Sequence, residues 1–451
     1  MPIRIAIVGG GATGALAAVH LVRRFDASRA DIVLIEPSPA IGRGLAYSTR
    51  DPGHLLNVRV ANMSAFADEP DHLFDWLRER GADSGVDCPT QFCFIPRSTY
   101  GDYIGELVGR ALACGAVRAA RDACVDIEES AGAITLHLAS GRAIVADRVV
   151  LATGHAAKPA LDGVPAAQAW ADDTLDDLPG DAPLLVLGSG LTMVDMAVSL
   201  DRRRHRGPIT VLSRRGLAPS AHRPVAPREA PAEIVPFGAE LSELLRWLRG
   251  LAARMSAEGA DWRSAVDALR PYTQRLWRSM SDEQKRRFLR HARVYWDIHR
   301  HRMAPEIERR VLSLRSSGRL TIVAGRALSL VQQPDGVHVR IARRGADAVE
   351  EHRFARIIDC TGLPDDPRRS ANPLIRALLA RGAARADSLG VGLDVAEDYA
   401  LIDADGRRSR RIKVIGPLAR AAFWECIAIP DIRLQCQEIA DALAAAAATT
   451  A

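Results

Sequence analysis

Two short apolar runs, each closing on a glycine turn and leading into a helical pattern, organise this chain. The first is Ile3–Val8, ahead of Gly9-Gly10-Gly11; the second is Leu184–Leu187, ahead of Gly188-Ser189-Gly190. Largely apolar runs this short read as buried strands, as in a parallel sheet. After the first helix, "ADIVLIE" reads as another strand, followed by a long irregular stretch over 37–100 and a helix from about Tyr100 to Cys114. "ACVDIEES", "AITLHLAS" and "AIVADRVVLATGH" then predict three short strands, with turns at Ser130–Gly132 and Ser140–Arg142. Beyond the second turn come a strand in "PITVLSRRG" and a helical region over 238–315. In that region "AELSELLRWLRGLAARM" and "SDEQKRRFLRHARVYWDIHRHR" carry apolar residues at i, i+3, i+4 spacing, with Ser281 as an N-cap before Asp282 and Glu283. Strands in "RIIDCTGLPDD" and "RIKVIGPLAR", and a final helix in "PDIRLQCQEIADALAAAAA", close the pattern.

Alternation of strand and helix predicts the α/β class. At 451 residues the chain exceeds one comfortable core, so more than one domain is expected. Apolar residues make up 48% and charged ones 25%, ordinary proportions for a globular protein. No apolar run is long enough to span a bilayer, so no membrane partner is expected. The net charge of +5 comes almost wholly from arginine, since Lys158, Lys285 and Lys413 are the only lysines. These charges are dispersed and no aromatic residues interleave with them, which argues against nucleic acid and leaves a small anionic ligand. The first strand begins at once, leaving no room for a secretion signal, and the seven cysteines are scattered with no CxxC pair. A cytoplasmic, reduced protein without structural zinc is therefore expected.

The first turn carries Gly9-x-Gly11-x-x-Gly14. Gly9 permits the tight turn, Gly11 lets a pyrophosphate approach, and Gly14 lets the helix pack close to its strand. The next strand ends in Glu36, whose carboxylate can accept hydrogen bonds from both ribose hydroxyls of an adenosine. Strand, glycine turn, helix, strand and acid together point to a bound dinucleotide. A meander then closes on Ala152-Thr153-Gly154. With that layout the chain resembles the two-dinucleotide flavoproteins, of which glutathione reductase and the flavin monooxygenases are members. The resemblance implies a glutathione-reductase-like FAD domain plus an NADPH domain, both Rossmann-like, with an α-helical insertion. The expected boundaries are 1–165 for the first part of the FAD domain, 175–354 for the NADPH domain with its insertion at 238–315, and 355–451 for the second part of the FAD domain.

The second turn repeats Gly188-x-Gly190 but has Met193 in the third position, and its second strand ends in Ser213-Arg214-Arg215 without an acid. A carboxylate would repel a ribose 2′-phosphate, whereas hydroxyl and guanidinium groups bind one. NADPH is therefore expected here, as the donor that reduces FAD.

"IGRGLAYSTRDPGHLLNVRVANMS", "FIPRSTYGDYI", "LGSGLTMVD", "LSRRG", "YWDIHRHRM" and "GPLARAAFWECIAIPDIR" resemble a more specific family of bacterial FAD/NAD(P)-binding proteins. That family includes aspartate N-hydroxylases and a urate hydroxylase. The resemblance implies a monooxygenase that uses O2 to oxygenate a small nucleophilic substrate, with N-hydroxylation of an amine or amino acid favoured over carbon hydroxylation. It places Asn57 beside the flavin ring, or else as a turn-stabilising Asn. Arg97 falls on flavin phosphate or ribose, or else in an ion pair. Gly154 and Gly416 end strands at the cofactor, although Pro417 stands where the superfamily has an Asp. Trp296 and His299 share a helix face and line a substrate pocket, or else simply pack; His54 is expected to satisfy backbone groups. Cys88 and Cys93 raise the alternative of a disulfide reductase, against which Pro89 and an aromatic-rich loop speak. A non-catalytic flavin-binding protein is the other alternative, suggested by Met193 and Pro417. Replacing Arg214 by Ala is expected to weaken the use of NADPH far more than that of NADH in steady-state kinetics; equal losses would remove the 2′-phosphate assignment.

Overall fold

The computed structural model describes residues 2–155, 166–171, 173–362 and 366–450. Strands β1 (Ile3–Val8) and β2 (Ala30–Ile35) are parallel neighbours, and β3 (Val117–Ala120) lies beyond β2. An antiparallel meander of β4 (Cys124–Glu129), β5 (Ile134–Leu138) and β6 (Ala143–Ala146) follows, and β7 (Arg148–Leu151) returns beside β1. The single strand expected in "AIVADRVVL" is thus two strands in two sheets. Asp147 makes the break: its N–H donates to the Arg4 carbonyl at 2.8 Å, and its carboxylate accepts from the Arg4 guanidinium at 2.7 Å.

A second sheet has the order β13-β12-β11-β10-β9-β14-β8. Its members are β8 (Ala166–Gln168), β9 (Leu184–Leu187), β10 (Ile209–Ser213), β11 (Leu320–Gln333), β12 (Gly336–Arg343), β13 (Val349–Phe354) and β14 (Arg356–Asp359). The sequence reading assigned β14 to the first domain. In the structure it pairs with β9 on one side and β8 on the other, because its apolar side chains Ile357 and Ile358 belong to the second domain's core. The chain then returns to the first sheet with β15 (Ala400–Ile402) and β16 (Arg408–Val414), giving β15-β16-β7-β1-β2-β3. The domain boundary expected at residue 165 lies outside the described residues.

Between β10 and β11 the helices Leu241–Ala257, Trp262–Ala268, Thr273–Ser279, Asp282–Arg287 and Arg293–Arg300 form the insertion. Ser281 caps the Asp282–Arg287 helix in a reciprocal capping box with Gln284. The next helix, Pro305–Ser316, lies outside the insertion: its Ile307, Val311 and Leu314 join Val194 and Val198 of the Leu191–Arg202 helix in the core of the second domain. None of the described helices is long and apolar enough to cross a membrane.

Both glycine turns rest on the same close approach. Gly9 has φ +100°, and a methyl group there would lie 2.5 Å from the carbonyl oxygen of Ala152, just past β7. Gly188 has φ +95°, and a methyl group would lie 2.4 Å from the Cys360 carbonyl oxygen, just past β14. Gly14 is tighter still: its added methyl would sit 1.7 Å from the Gly9 carbonyl oxygen. Gly14→Ala is therefore expected to forfeit stable folding or flavin retention. The control Gly109→Ala, mid-helix with nothing within 4 Å of the new methyl, is expected to stabilise by up to about 1 kcal/mol. Thermal denaturation of the two variants checks this; a Gly14→Ala protein that melts like wild type would remove the close-approach argument.

Candidate functional site

Gly11 opens the Ala12–Arg24 helix and Gly190 opens the Leu191–Arg202 helix, and no side chain caps either one. The first N–H groups of each helix are left pointing outward, the arrangement that binds phosphate. Space over Gly190 is open, with nothing within 4 Å of an added methyl group. At the first turn Glu36 accepts from the Gly10 N–H at 2.7 Å and from the Ser38 N–H at 2.9 Å. These bonds fix its carboxylate at the strand end, with lone pairs still available to a ribose. Gly416 donates its N–H to Gln435 Oε1 at 3.0 Å, and a methyl on it would lie 3.1 Å from Thr13 Cγ2, so β16 ends over the start of the first helix.

The strand end Ser213-Arg214-Arg215 divides its labour. Arg214 is exposed, whereas Arg215 donates to the Tyr295 hydroxyl at 2.8 Å. Ser213 is turned inward. Its oxygen accepts from the Gly216 N–H at 3.1 Å and lies 2.8 Å from Ser189 Oγ.

Arg97 is not directed at the first turn. Its guanidinium pairs with the buried Asp195 of the second domain at 3.2 Å and lies 5.8 Å from the Trp170 ring centre. Burial pushes the Asp195 carboxyl up, and Arg97 opposes that shift. Beside this pair, Ser199 donates to Asp51 Oδ2 at 2.5 Å, which uses its only proton. His54 Nε2 must then be the donor to Ser199 Oγ, at 2.8 Å, and to the Asp195 carbonyl, at 3.1 Å, while Nδ1 lies 2.8 Å from the Thr49 hydroxyl. Arg202 completes the clasp on Asp51 at 3.0 Å. Arg97, Asp51 and His54 therefore tie the two domains together. Long-range contacts of this kind leave no trace in local sequence.

Asn57 contributes its main chain: its carbonyl accepts from His222 Nε2 at 3.0 Å. Burial depresses His222 to about 4, so its imidazole is neutral. Trp296 and His299 do not act together. Trp296 Nε1 donates to Glu425, whereas His299 rests edge-on against Trp262 with its Nδ1 on the Tyr295 carbonyl at 2.7 Å. Cys88 and Cys93 form a disulfide, against the expectation of reduced cysteines, because the turn closed by the Cys93 N–H on the Thr90 carbonyl brings their Cα atoms within 5.4 Å. The pair sits in a loop and opens no helix.

Sequence reasoning pointed to Pro430 and Asp431 at the start of the final helix but missed Glu425 beside them. Glu425 is buried, and its backbone is left-handed at φ +67°. It accepts from Trp296 Nε1 and from Arg300 Nε, the latter at 3.1 Å. Burial alone would raise it, yet Arg300, His301 and Trp296 together hold its carboxylate below the usual range. Asp431, in the first turn of the final helix, has a buried Oδ2 without a partner, and burial raises it to about 6 against the pull of Arg270. Further buried atoms without partners cluster along the same helix start and its neighbours: Gln435 Nε2, Arg433 Nε, Tyr100 Oη, Trp424 Nε1 and Gln274 Oε1. Buried polar atoms in a native protein are normally satisfied. This collection of donors and acceptors suits a flavin ring and a polar substrate. For Glu425 the sequence signal was the "FWECIAI" stretch, where an acid sits among apolar residues.

Residues 6–156 match the family model described as FAD-NAD(P)-binding. No curated protein matches the chain significantly in sequence. Among solved structures, L-lysine 6-monooxygenase from Pseudomonas syringae aligns with TM-score 0.67 at 18% identity, covering 99% of this chain and 100% of that one. The reduced form of ornithine hydroxylase from Pseudomonas aeruginosa gives 0.66 at 14%, covering 99% of each. Kutzneria sp. 744 ornithine N-hydroxylase, with reduced FAD, NADP+ and L-ornithine, gives 0.65 at 16%, covering 98% and 99%. The chain has the fold of the two-dinucleotide flavoproteins. That fold also hosts other chemistry: bacillithiol disulfide reductase from Bacillus cereus aligns at 0.54 and 16% identity, over 99% of this chain and 100% of that one.

In this flavoprotein fold Asp431 yields a pH prediction. Its folded-state pKa of about 6 stands above the unfolded value, so ionisation costs stability. The native state is fully favoured below about pH 4 and loses up to about 3 kcal/mol as pH rises through 6. Asp431→Asn is expected to melt above wild type at pH 7.5 and level with it at pH 4; a difference in melting temperature that does not vary with pH would refute this.

Proposed function

We propose that this protein is an FAD- and NADPH-dependent monooxygenase that N-hydroxylates a small amine or amino acid. The observation that carries the reading is the docking of the helical insertion over the start of the final helix. Trp277 stacks on Trp424 at 4.6 Å and donates from Nε1 to the Ala421 carbonyl at 2.7 Å, while Trp296 and Arg300 hold Glu425. This covers a group of buried charges with aromatic rings, and a site that shuts out water suits oxygen transfer.

Gly9, Gly11, Gly14 and Glu36 would hold the FAD pyrophosphate and ribose, with Gly154 and Gly416 at its flanks. Gly188 and Gly190 would hold the NADPH pyrophosphate, with Arg214 and Arg215 on its 2′-phosphate. Bound FAD supplies the redox chemistry, accepting a hydride from NADPH and activating O2 so that one oxygen reaches the substrate and the other leaves as water. The residues do the rest. The Arg270 guanidinium, which makes no hydrogen bond or close ion pair among the described residues, would orient an anionic group of the substrate. Asp431 Oδ2, ionised above about pH 6, would take the proton of the substrate ammonium, leaving the nitrogen lone pair free to react.

FAD-loaded protein would be reduced anaerobically with NADPH, then mixed with O2 and a panel of amines and amino acids while hydroxylamine and H2O2 are followed. Rapid bleaching by NADPH and a hydroxylamine product from at least one amine are expected, with kcat/KM rising through about pH 6. Flavin that NADPH cannot bleach would overturn the enzymatic reading. The Cys88–Cys93 bond favours a disulfide reductase as the second reading; NADPH-driven disulfide reduction that disappears in Cys88→Ser would establish it in place of oxygenation.

A further inference from the structure

The end of β10 lacks a donor that the sequence pattern promised. A hydroxyl carries one proton. That of Ser189 goes to the Leu217 carbonyl at 2.5 Å, which can only accept. In the 2.8 Å contact between the two serines Ser213 must therefore be the donor. Its oxygen already accepts from the Gly216 N–H, so Ser213 has no proton to offer a ligand. Beside it, Arg215 donates from one terminal nitrogen to Tyr295 Oη, and its guanidinium carbon lies 5.0 Å from the Tyr295 ring centre. The tyrosine hydroxyl accepts that bond, and no described protein group accepts its own proton. The side chain stands at the surface, 45% exposed.

We propose that Tyr295 is the hydroxyl donor of the 2′-phosphate site in place of Ser213, and that through it NADPH, unlike NADH, takes hold of the helical insertion. The proposal rests on the NADPH reading above and adds a residue and a consequence to it. Tyr295 lies on the Arg293–Arg300 helix, and the same helix grips Glu425 of the first domain through Trp296 and Arg300. Glu425 sits in a backbone region costly for a residue with a side chain, so those two bonds help to hold it there. The helix stands on a π-helical turn, Phe288–Ala292, a feature common at functional sites in helices. A phosphate gripped by Arg214, Arg215 and Tyr295 thus pulls on one end of a short rigid helix whose other contacts set the position of Glu425 beside the substrate cleft. Tyr295 is a positioning residue in this scheme as well as a ligand to the phosphate.

The test uses FAD-loaded full-length protein and two probes, 2′,5′-ADP and 5′-AMP, which differ only in the 2′-phosphate. Affinities are measured by calorimetry on wild type and Tyr295→Phe, a change that keeps the ring at an exposed position and so leaves folding intact. Hydrogen exchange over residues 421–428 is followed in parallel. Wild type is expected to prefer 2′,5′-ADP, and Tyr295→Phe to lose about tenfold in its affinity for that probe, the scale of a hydrogen bond to a charged group, with 5′-AMP unchanged. Binding of 2′,5′-ADP is expected to slow exchange over 421–428 in wild type and not in the variant. Wild type that fails to distinguish the probes would overturn the NADPH reading itself. Equal affinity of both proteins for 2′,5′-ADP would leave that reading standing and overturn the role of Tyr295. A tenfold loss with exchange over 421–428 unaffected by the probe in wild type would overturn the link to Glu425.

Discussion

A strand can deliver a helix N-terminus to a phosphate only if the chain reverses within a few residues, directly beneath the neighbouring strand. That reversal brings backbone against backbone. At Gly9 the neighbour is the carbonyl of Ala152, and at Gly188 it is that of Cys360. Neither site has room for a methyl group, and both need a positive φ. The neighbouring strands in turn end in glycines with positive φ, Gly154 at +68° and Gly362 at +86°. Much of the architecture follows from satisfying this constraint twice. β1 and β9 must lie inside their sheets, flanked on both sides, and the cofactor-binding ends of both sheets must face a common cleft.

Two such units have to be held at a working angle, and the protein does this with buried polar groups. Arg97 with Asp195, and His54 with Ser199 and Asp51, cross the interface along the Leu191–Arg202 helix. A buried ion pair carries a large desolvation cost and adds little net stability. What it supplies is one geometry, since any other leaves a charge without its partner. The insertion contacts residues 421–425, ahead of the final helix. Its Trp277 and Trp296 bury ring surface against the segment before the final helix while their indole N–H groups bond to that segment, so apolar packing and polar specificity come from the same residues.

Several buried polar atoms without partners gather in one part of the structure. Asp431 Oδ2, Gln435 Nε2, Arg433 Nε, Tyr100 Oη, Trp424 Nε1 and Gln274 Oε1 lie at one helix start and the residues facing it, and they include both donors and acceptors. Binding of a polar group there would supply the missing bonds.

The sequence alone determined both glycine turns, Glu36, the class of the fold and the presence of a helical insertion. Each is a local matter: periodicity fixes an element, and a turn needs its glycine wherever the rest of the chain runs. Tertiary structure decided the rest. It placed β14 in the second sheet, sent Arg97 to Asp195, turned Ser213 inward and separated Trp296 from His299. It also assembled Glu425, Arg300, Arg270 and Asp431 from segments far apart in the chain. A side chain's partner depends on which elements pack beside it, and several partners were compatible with the same local pattern. For Ser213 the choice came down to a single proton and a carbonyl four residues further on, which only the folded turn brings within reach.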